Sequence, residues 1–207
     1  MWIGRYRSIP RSCVSISTAP PFPGSQGALL NYKKFGQEPA DHAIGRSRGG
    51  LSTKTHLVAD GRGRPLGFVL TGGQVADTIM LPATINTIRV PRSIGRPRTR
   101  PARVIADKGY PSKNNRAFLR RRGIKATIPE RRDQILHRSK HPGRPLVWDQ
   151  EQRSTYRNRN IVERTFNRLK QWRGIAMRAN MTARNYHAAL TLAATLDWLK
   201  TTKINAA

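Results

Sequence analysis

The chain has 207 residues, and its 39 lysines and arginines against 11 aspartates and glutamates give a formal net charge of +28. This length suits one domain with a full hydrophobic core, and a surface so positive repels itself unless a polyanion shares it, which points to nucleic acid as the partner. No apolar run approaches the ~20 residues that a membrane span requires, and the lone cysteine, Cys13, excludes an internal disulfide and fits a reducing cytoplasm.

Residues 1–37 show neither helical nor strand periodicity, and their Pro, Ser and Gly content predicts an irregular leader before a folded domain over residues 38–207. Within that domain, TKTHLVAD (Thr53 to Asp60) alternates polar and apolar residues, and PLGFVLT (Pro65 to Thr71) follows the turn GRGR, so the pair reads as an antiparallel hairpin. Asp77 is a candidate cap for a helix through Ile79, Met80, Ala83, Thr84 and Thr87, with Pro82 confined to its first turns. Residues 89–103 are crowded with arginine and proline and are predicted to form an exposed basic loop.

The short apolar run VIAD (Val104 to Asp107) reads as a buried strand ending in an acid. Ser112 then caps, and Gly123 ends, a helix before a short strand at Ile124 to Ile128. Residues 131–155 are predicted to be a second basic loop, followed by helices from about Tyr156 to Trp172 and from about Thr182 to Thr201. This order of elements predicts an α/β fold, a mixed sheet flanked by helices.

In the first of these late helices Glu163 is the only acid within YRNRNIVERTFNRLK. At about 100° per residue, Tyr156, Arg159 and Lys170 fall within roughly 40° of Glu163, whereas Val162, Thr165, Phe166 and Leu169 form a separate core-facing side. Glu163 is thus either a surface ion-pair partner of Arg159 or Lys170, or a group aimed into a cleft at the sheet. Asp107, at the carboxyl end of its strand, lies where ligands bind in open α/β sheets. Two carboxylates brought together repel each other unless a cation lies between them, and hard oxygen donors of this kind suit Mg²⁺ or Mn²⁺.

The spacing of Tyr156, Arg159, Glu163 and Lys170 resembles the Y-R-E-K signature of bacterial DDE insertion-sequence transposases of the group of insertion sequences four and five. The segment ADKGY around Asp107 resembles their second acidic motif. The stretches EPADHAIGRSRGGLSTKTHLVADGRGRPLGFVLTGGQVADT and RVPRSIGRPRTRPARVIADKGY also look like actinobacterial members, so that the resemblance runs from about Gln37 to Leu199. It implies a ribonuclease H-like fold, with Asp107 and Glu163 as catalytic, metal-binding residues and Tyr156, Arg159 and Lys170 as contacts to DNA. It further implies Mg²⁺ or Mn²⁺ as cofactor, double-stranded DNA at transposon ends as partner, a homo-oligomer on that DNA, and a cytoplasmic, nucleoid-associated location.

The sequence departs from the family in one place. Members carry a first catalytic Asp in a D-S/G-T motif on the first, central strand, and no acid precedes Glu38 here. The expectation is therefore a sheet missing its first central strand and a defective enzyme, with a leader translated out of frame. Shifted by one nucleotide, codons for Ser17, Thr18, Ala19, Pro20 and Pro21 can encode Asp, then Gly or Ser, then Thr. The alternative function is a non-catalytic, basic nucleic-acid-binding protein.

Overall fold

The computed structural model describes residues 13–18, 40–47, 50–142 and 148–203. Strand β1 (Cys13–Thr18) corrects the expectation of an irregular leader and of a sheet missing its first central strand, because it lies inside the sheet between β3 (Gly50–Ala59) and β5 (Arg103–Ala106). Val14 and Ile16 give it a buried period of two that the Pro, Ser and Gly around it conceal in the sequence. The strand runs antiparallel to β3, pairing Ile16 with Val58, and parallel to β5, pairing Ile16 with Ala106.

The expected hairpin forms as β3 and β4 (Pro65–Gly72). Strand β2 (Gly45–Ser47) pairs with the first residues of β3, and β6 (Lys125–Thr127) runs parallel to β5. Side chains leave the sheet alternately to two cores. Leu57 and Ala59 pack with Val162, Phe166 and Leu169 of α5 (Asn160–Lys170) and with Tyr186 and Leu190 of α7 (Ala183–Lys203). Val14, Ile16, Val58, Val104 and Ala106 pack with Leu81 and Ile85 of α1 (Asp77–Asn86) and with Leu119 of α2 (Lys113–Arg121). Helices thus cover both faces of a mixed α/β sheet, as the element order predicts.

Three predicted elements differ in detail. Residues 131–155 hold α3 (Arg132–Ser139) and α4 (Gln150–Arg157) rather than one loop, since Asp149 caps α4 by accepting from the Gln152 amide at 2.6 Å. The single helix expected from Tyr156 to Trp172 is split between α4 and α5. At the junction the Arg159 amide donates to the Tyr156 carbonyl at 2.9 Å and the Val162 amide to the Arg159 carbonyl at 3.1 Å, which are the tighter bonds of a 3₁₀ turn. After Trp172 the chain makes one further turn, α6 (Arg173–Ala176). Ser112 caps α2 and Gly123 ends it at φ +64°, as expected, whereas Asp77 makes no cap and instead pairs with Lys54 of β3 at 3.0 Å.

The β3–β4 turn fixes α5 against the sheet. Asp60, 2% exposed, accepts from the amides of Arg62 and Arg64 at 2.9 Å each and from the Arg64 guanidinium at 2.8 and 2.5 Å. The carbonyl of Gly63 then receives Thr165 Oγ1 at 2.8 Å and Arg168 Nη2 at 2.5 Å from α5. A side chain at Gly63 would meet Ile161 and Thr165 at 3.1 Å, and its φ of +77° already favours glycine. This close approach sets which side of α5 faces the core and so where Glu163 points.

On the other face Pro82 lies inside α1 and brings no N–H for the Thr78 carbonyl one turn back. Asn115, 3% exposed, fills the gap: its Nδ2 donates to Thr78 O at 2.8 Å and to Tyr110 O at 2.9 Å. Asn115→Ala orphans both carbonyls and is expected to cost about 2 kcal/mol in urea denaturation, more than an alanine at an exposed position of α2. His56, fully buried and hydrogen-bonded to Thr71 Oγ1 at 2.9 Å, has its pKa lowered to about 4, by burial first, with the Asp77 charge opposing and the Lys54 charge assisting. The unfolded chain protonates this histidine near its ordinary value while the folded chain resists. His56 therefore contributes stability above pH ~6.5 that is lost as pH falls toward about 4, on the order of 3 kcal/mol in all. Denaturant midpoints measured across that window are expected to fall for the wild type and to flatten for His56→Gln.

Candidate functional site

Asp107 follows the last residue of β5 and turns the chain, its carbonyl accepting from the Tyr110 amide at 3.0 Å and its Oδ1 from the Lys108 amide at 2.7 Å. Glu163 lies in the first turn of α5, where a negative charge complements the helix dipole. A single guanidinium joins them: Arg159 Nη1 is 3.0 Å from Asp107 Oδ1, and Nη2 is 2.7 Å from Glu163 Oε1. The carboxylates are 44% and 43% exposed and the arginine 26%, so the cluster is open to solvent on one side and backed by the sheet on the other.

Tyr156 and Arg159 come from the end of α4 and the junction that follows it. The Arg159 guanidinium lies 5.7 Å from the Tyr156 ring, and the ring packs edge-on against Trp148 at 5.3 Å. The Tyr156 pKa is raised, by burial first; the Arg159 charge opposes, and the charges of Asp107 and Glu163 and a hydrogen bond to Asp107 add to it. The phenol therefore stays protonated beside the Asp107 carboxylate. On α4, Glu151 in its first turn and Thr155, next to Tyr156, accept from Arg103 at 3.0 Å each, which ties the helix to the first residue of β5.

Of the residues that the sequence singles out, Asp107, Glu163, Arg159 and Tyr156 lie together. Lys170 ends α5, seven residues beyond Glu163 and so about 10 Å further along the helix axis. The surface-pair reading and the cleft reading of Glu163 both describe part of what forms, since the pair with Arg159 exists and Asp107 shares it. His56 is bound to Thr71 and Asp60 is fully engaged by its own turn, whereas Asp77 pairs with Lys54 and lies beside Gly109, where a side chain would meet its Oδ2 at 3.6 Å, two residues after Asp107. What sequence reasoning missed is the support of the cluster by Trp148, Thr155, Glu151 and Arg103. Asp149 placed before a Glu and two Gln was the available signal for the helix that carries it.

Two oxygen donors sharing one cation suit a divalent ion that also draws oxygens from a substrate. Among the described residues no group of three or more His, Cys, Asp or Glu is placed to hold a metal by itself. Asp107 and Glu163 are the residues whose oxygens could share an ion with a phosphate. Among the described residues no helix is long and apolar enough to cross a membrane.

Residues 17–198 match the family described as transposase DDE domain. A Burkholderia cepacia protein described as a transposase for insertion sequence element IS402 is 42% identical over 100 residues, which are 48% of this chain and 44% of that protein. A Brucella ovis protein described as a transposase for insertion sequence element IS6501 is 29% identical over 151 residues, which are 72% of this chain and all of that protein. The aligned region therefore spans less than half of the Burkholderia relative. No solved structure matches the chain.

Removing Arg159 leaves Asp107 and Glu163 facing each other. Arg159→Gln is expected to lower the melting temperature by about 1–3 °C at low salt, a figure reduced for the exposure of the pair. The loss should shrink at high salt, because screening weakens the carboxylate repulsion.

Proposed function

From the premise that the chain belongs to the transposase DDE domain family, we propose that it is a DDE catalytic domain of ribonuclease H-like fold. In this reading Asp107 and Glu163 hold Mg²⁺ or Mn²⁺ beside double-stranded DNA at a transposon end. The observation that carries it is Arg159 between the two carboxylates, since one guanidinium offsets only part of their joint negative charge and a divalent ion in that place would offset all of it. Strand order supports the fold assignment: β1 lies between an antiparallel β3 and a parallel β5, with the two acids at the sheet end where ligands gather.

When bound, the ion supplies Lewis-acid activation for in-line cutting and joining of phosphodiesters. The chain's own residues do the rest. Asp107 and Glu163 present oxygen donors from a strand end and a helix, two rigid supports. Tyr156, kept protonated, orients the Asp107 carboxylate. Arg159 offsets part of the charge of both acids, and its planar fork would also suit a phosphate of the DNA backbone. Lys170, further along α5, contacts the same strand, and the protein acts in the cytoplasm at the nucleoid as a homo-oligomer on DNA.

The third carboxylate of such a site is the weak point. Strand β1 occupies the central place, but its sequence, CVSIST, carries no acid. Ile16 pairs with Ala106, so Ser17 is the next residue on β1 just as Asp107 is the next after β5. A divalent ion with only two protein carboxylates is held loosely. The chain is accordingly proposed to bind DNA while cutting and joining it poorly, and this missing acid is also what favours the second reading, a non-catalytic nucleic-acid binder.

Titration with Mn²⁺ followed by electron paramagnetic resonance separates the two. Weak binding is expected for the wild type, none for Asp107→Asn or Glu163→Gln, and binding roughly tenfold tighter for Ser17→Asp, which adds a ligand charge. Equal Mn²⁺ uptake by the wild type and both neutralised variants would remove the metal site and leave the binder.

A further inference from the structure

After α1 the chain projects an arm. Val90 and Arg98 exchange both backbone hydrogen bonds, at 2.9 and 2.7 Å, and Gly95 at φ +88° closes the turn between them. The base is anchored: Val90 packs against the core with Ile88, and Arg122 donates to Asn86 Oδ1 at 2.7 Å and to the Thr99 carbonyl at 3.3 Å. The arm therefore presents its side chains from a fixed support.

Those side chains are of two kinds. Arg92, Arg98, Thr99 and Arg100 line an open depression at the arm's base. Neither these arginines nor Arg96 pairs with a carboxylate among the described residues. At the tip, between Arg92 and Arg96, Ile94 is 87% exposed, more than any other large apolar side chain described. A solvated charge run accounts for the arginines but not for an isoleucine held at the tip. Arginines without carboxylate partners on both sides of Ile94, in a chain of net charge +28, favour a polyanion as the occupant. Proteins that combine arginines on phosphates with an apolar wedge at a base step use this pairing in the minor groove.

The arm stands apart from the carboxylates. It precedes Arg103, the first residue of β5, and Asp107 follows the last, so roughly 13 Å of strand separates the two ends. We propose that the Val90 to Arg98 arm is a second contact to duplex DNA, with the depression at its base taking backbone phosphates and Ile94 entering the groove against a base step. The proposal rests on the reading that the partner is DNA, and it adds a site remote from the reacting phosphate.

The test compares the full-length wild type, the triple variant Arg92→Ala, Arg98→Ala, Arg100→Ala, and Ile94→Ser on duplexes containing aminopurine, between about 50 and 200 mM salt. These side chains lie at the surface, and circular dichroism verifies that the variants are folded. The triple variant is expected to lower the slope of log affinity against log salt by roughly 2.7, about 0.9 for each phosphate no longer neutralised. Ile94→Ser is expected to keep that slope, to bind roughly fivefold more weakly, and to lose the rise in aminopurine fluorescence that unstacking gives with the wild type. A wild type that fails to bind the duplex removes the DNA reading itself. If the wild type binds without a fluorescence rise, if the triple variant keeps the full slope, or if Ile94→Ser keeps the rise, the arm proposal is overturned while the DNA reading stands.

Discussion

Negative charge is scarce in this chain, and its placement decides how the elements meet. At a formal net charge of +28, each carboxylate has many cations competing for it, and several become joints between elements. Asp60 closes the β3–β4 turn on Arg64, Asp77 joins α1 to Lys54 of β3, and Glu130 gathers Arg116 and Arg138. Glu151 of α4 holds Arg103 of β5, and Asp197 of α7 holds Arg168 of α5. Exposed pairs contribute little stability one at a time. In a surface so positive their larger effect is on orientation, because a helix turned away from its acid would set cation against cation.

The cluster of Asp107, Arg159 and Glu163 is the same device with its proportions reversed, two acids sharing one cation. Its geometry is inherited from both sides of the molecule. Asp107 is set by β5, which is buried through Val104, Ile105 and Ala106. Glu163 is set by α5, which Thr165 and Arg168 bind to the carbonyl of Gly63. The 3₁₀ junction between α4 and α5 rotates Arg159 out of a continuous helical path, so that its fork reaches an acid on the strand as well as one on its own helix.

The hairpin, α2 and the terminal helix were legible because each carries a periodicity or a cap of its own, whereas α1 was placed by a cap and a stripe that do not form: Asp77 pairs with Lys54, Ile79 is exposed, and the core side chains are Leu81 and Ile85. Strand β1 was not legible, because a strand of six residues with two buried apolar positions has little pattern to show, and what stabilises it is pairing with β3 and β5, distant in sequence. Helix α4 was hidden by its charge: none of its residues is buried, and it is held by a cap and by Arg103 rather than by an apolar stripe. For the site, the sequence showed that Glu163 could meet Arg159 and that Asp107 ends a strand. That a single guanidinium spans both depends on the crossing of α5 over the sheet, which no local spacing encodes.

Arg103 has a role that is easy to misread. It begins β5 at the end away from Asp107, yet its bonds to Glu151 and Thr155 anchor the helix whose last turn carries Tyr156. Strand and helix thus form a closed frame, tied at one end by this arginine and at the other by Arg159. Loosening this tie would let the other one drift, so a screen that scores only function would place Arg103 among residues that touch the reacting groups, although its own bonds go to Glu151 and Thr155.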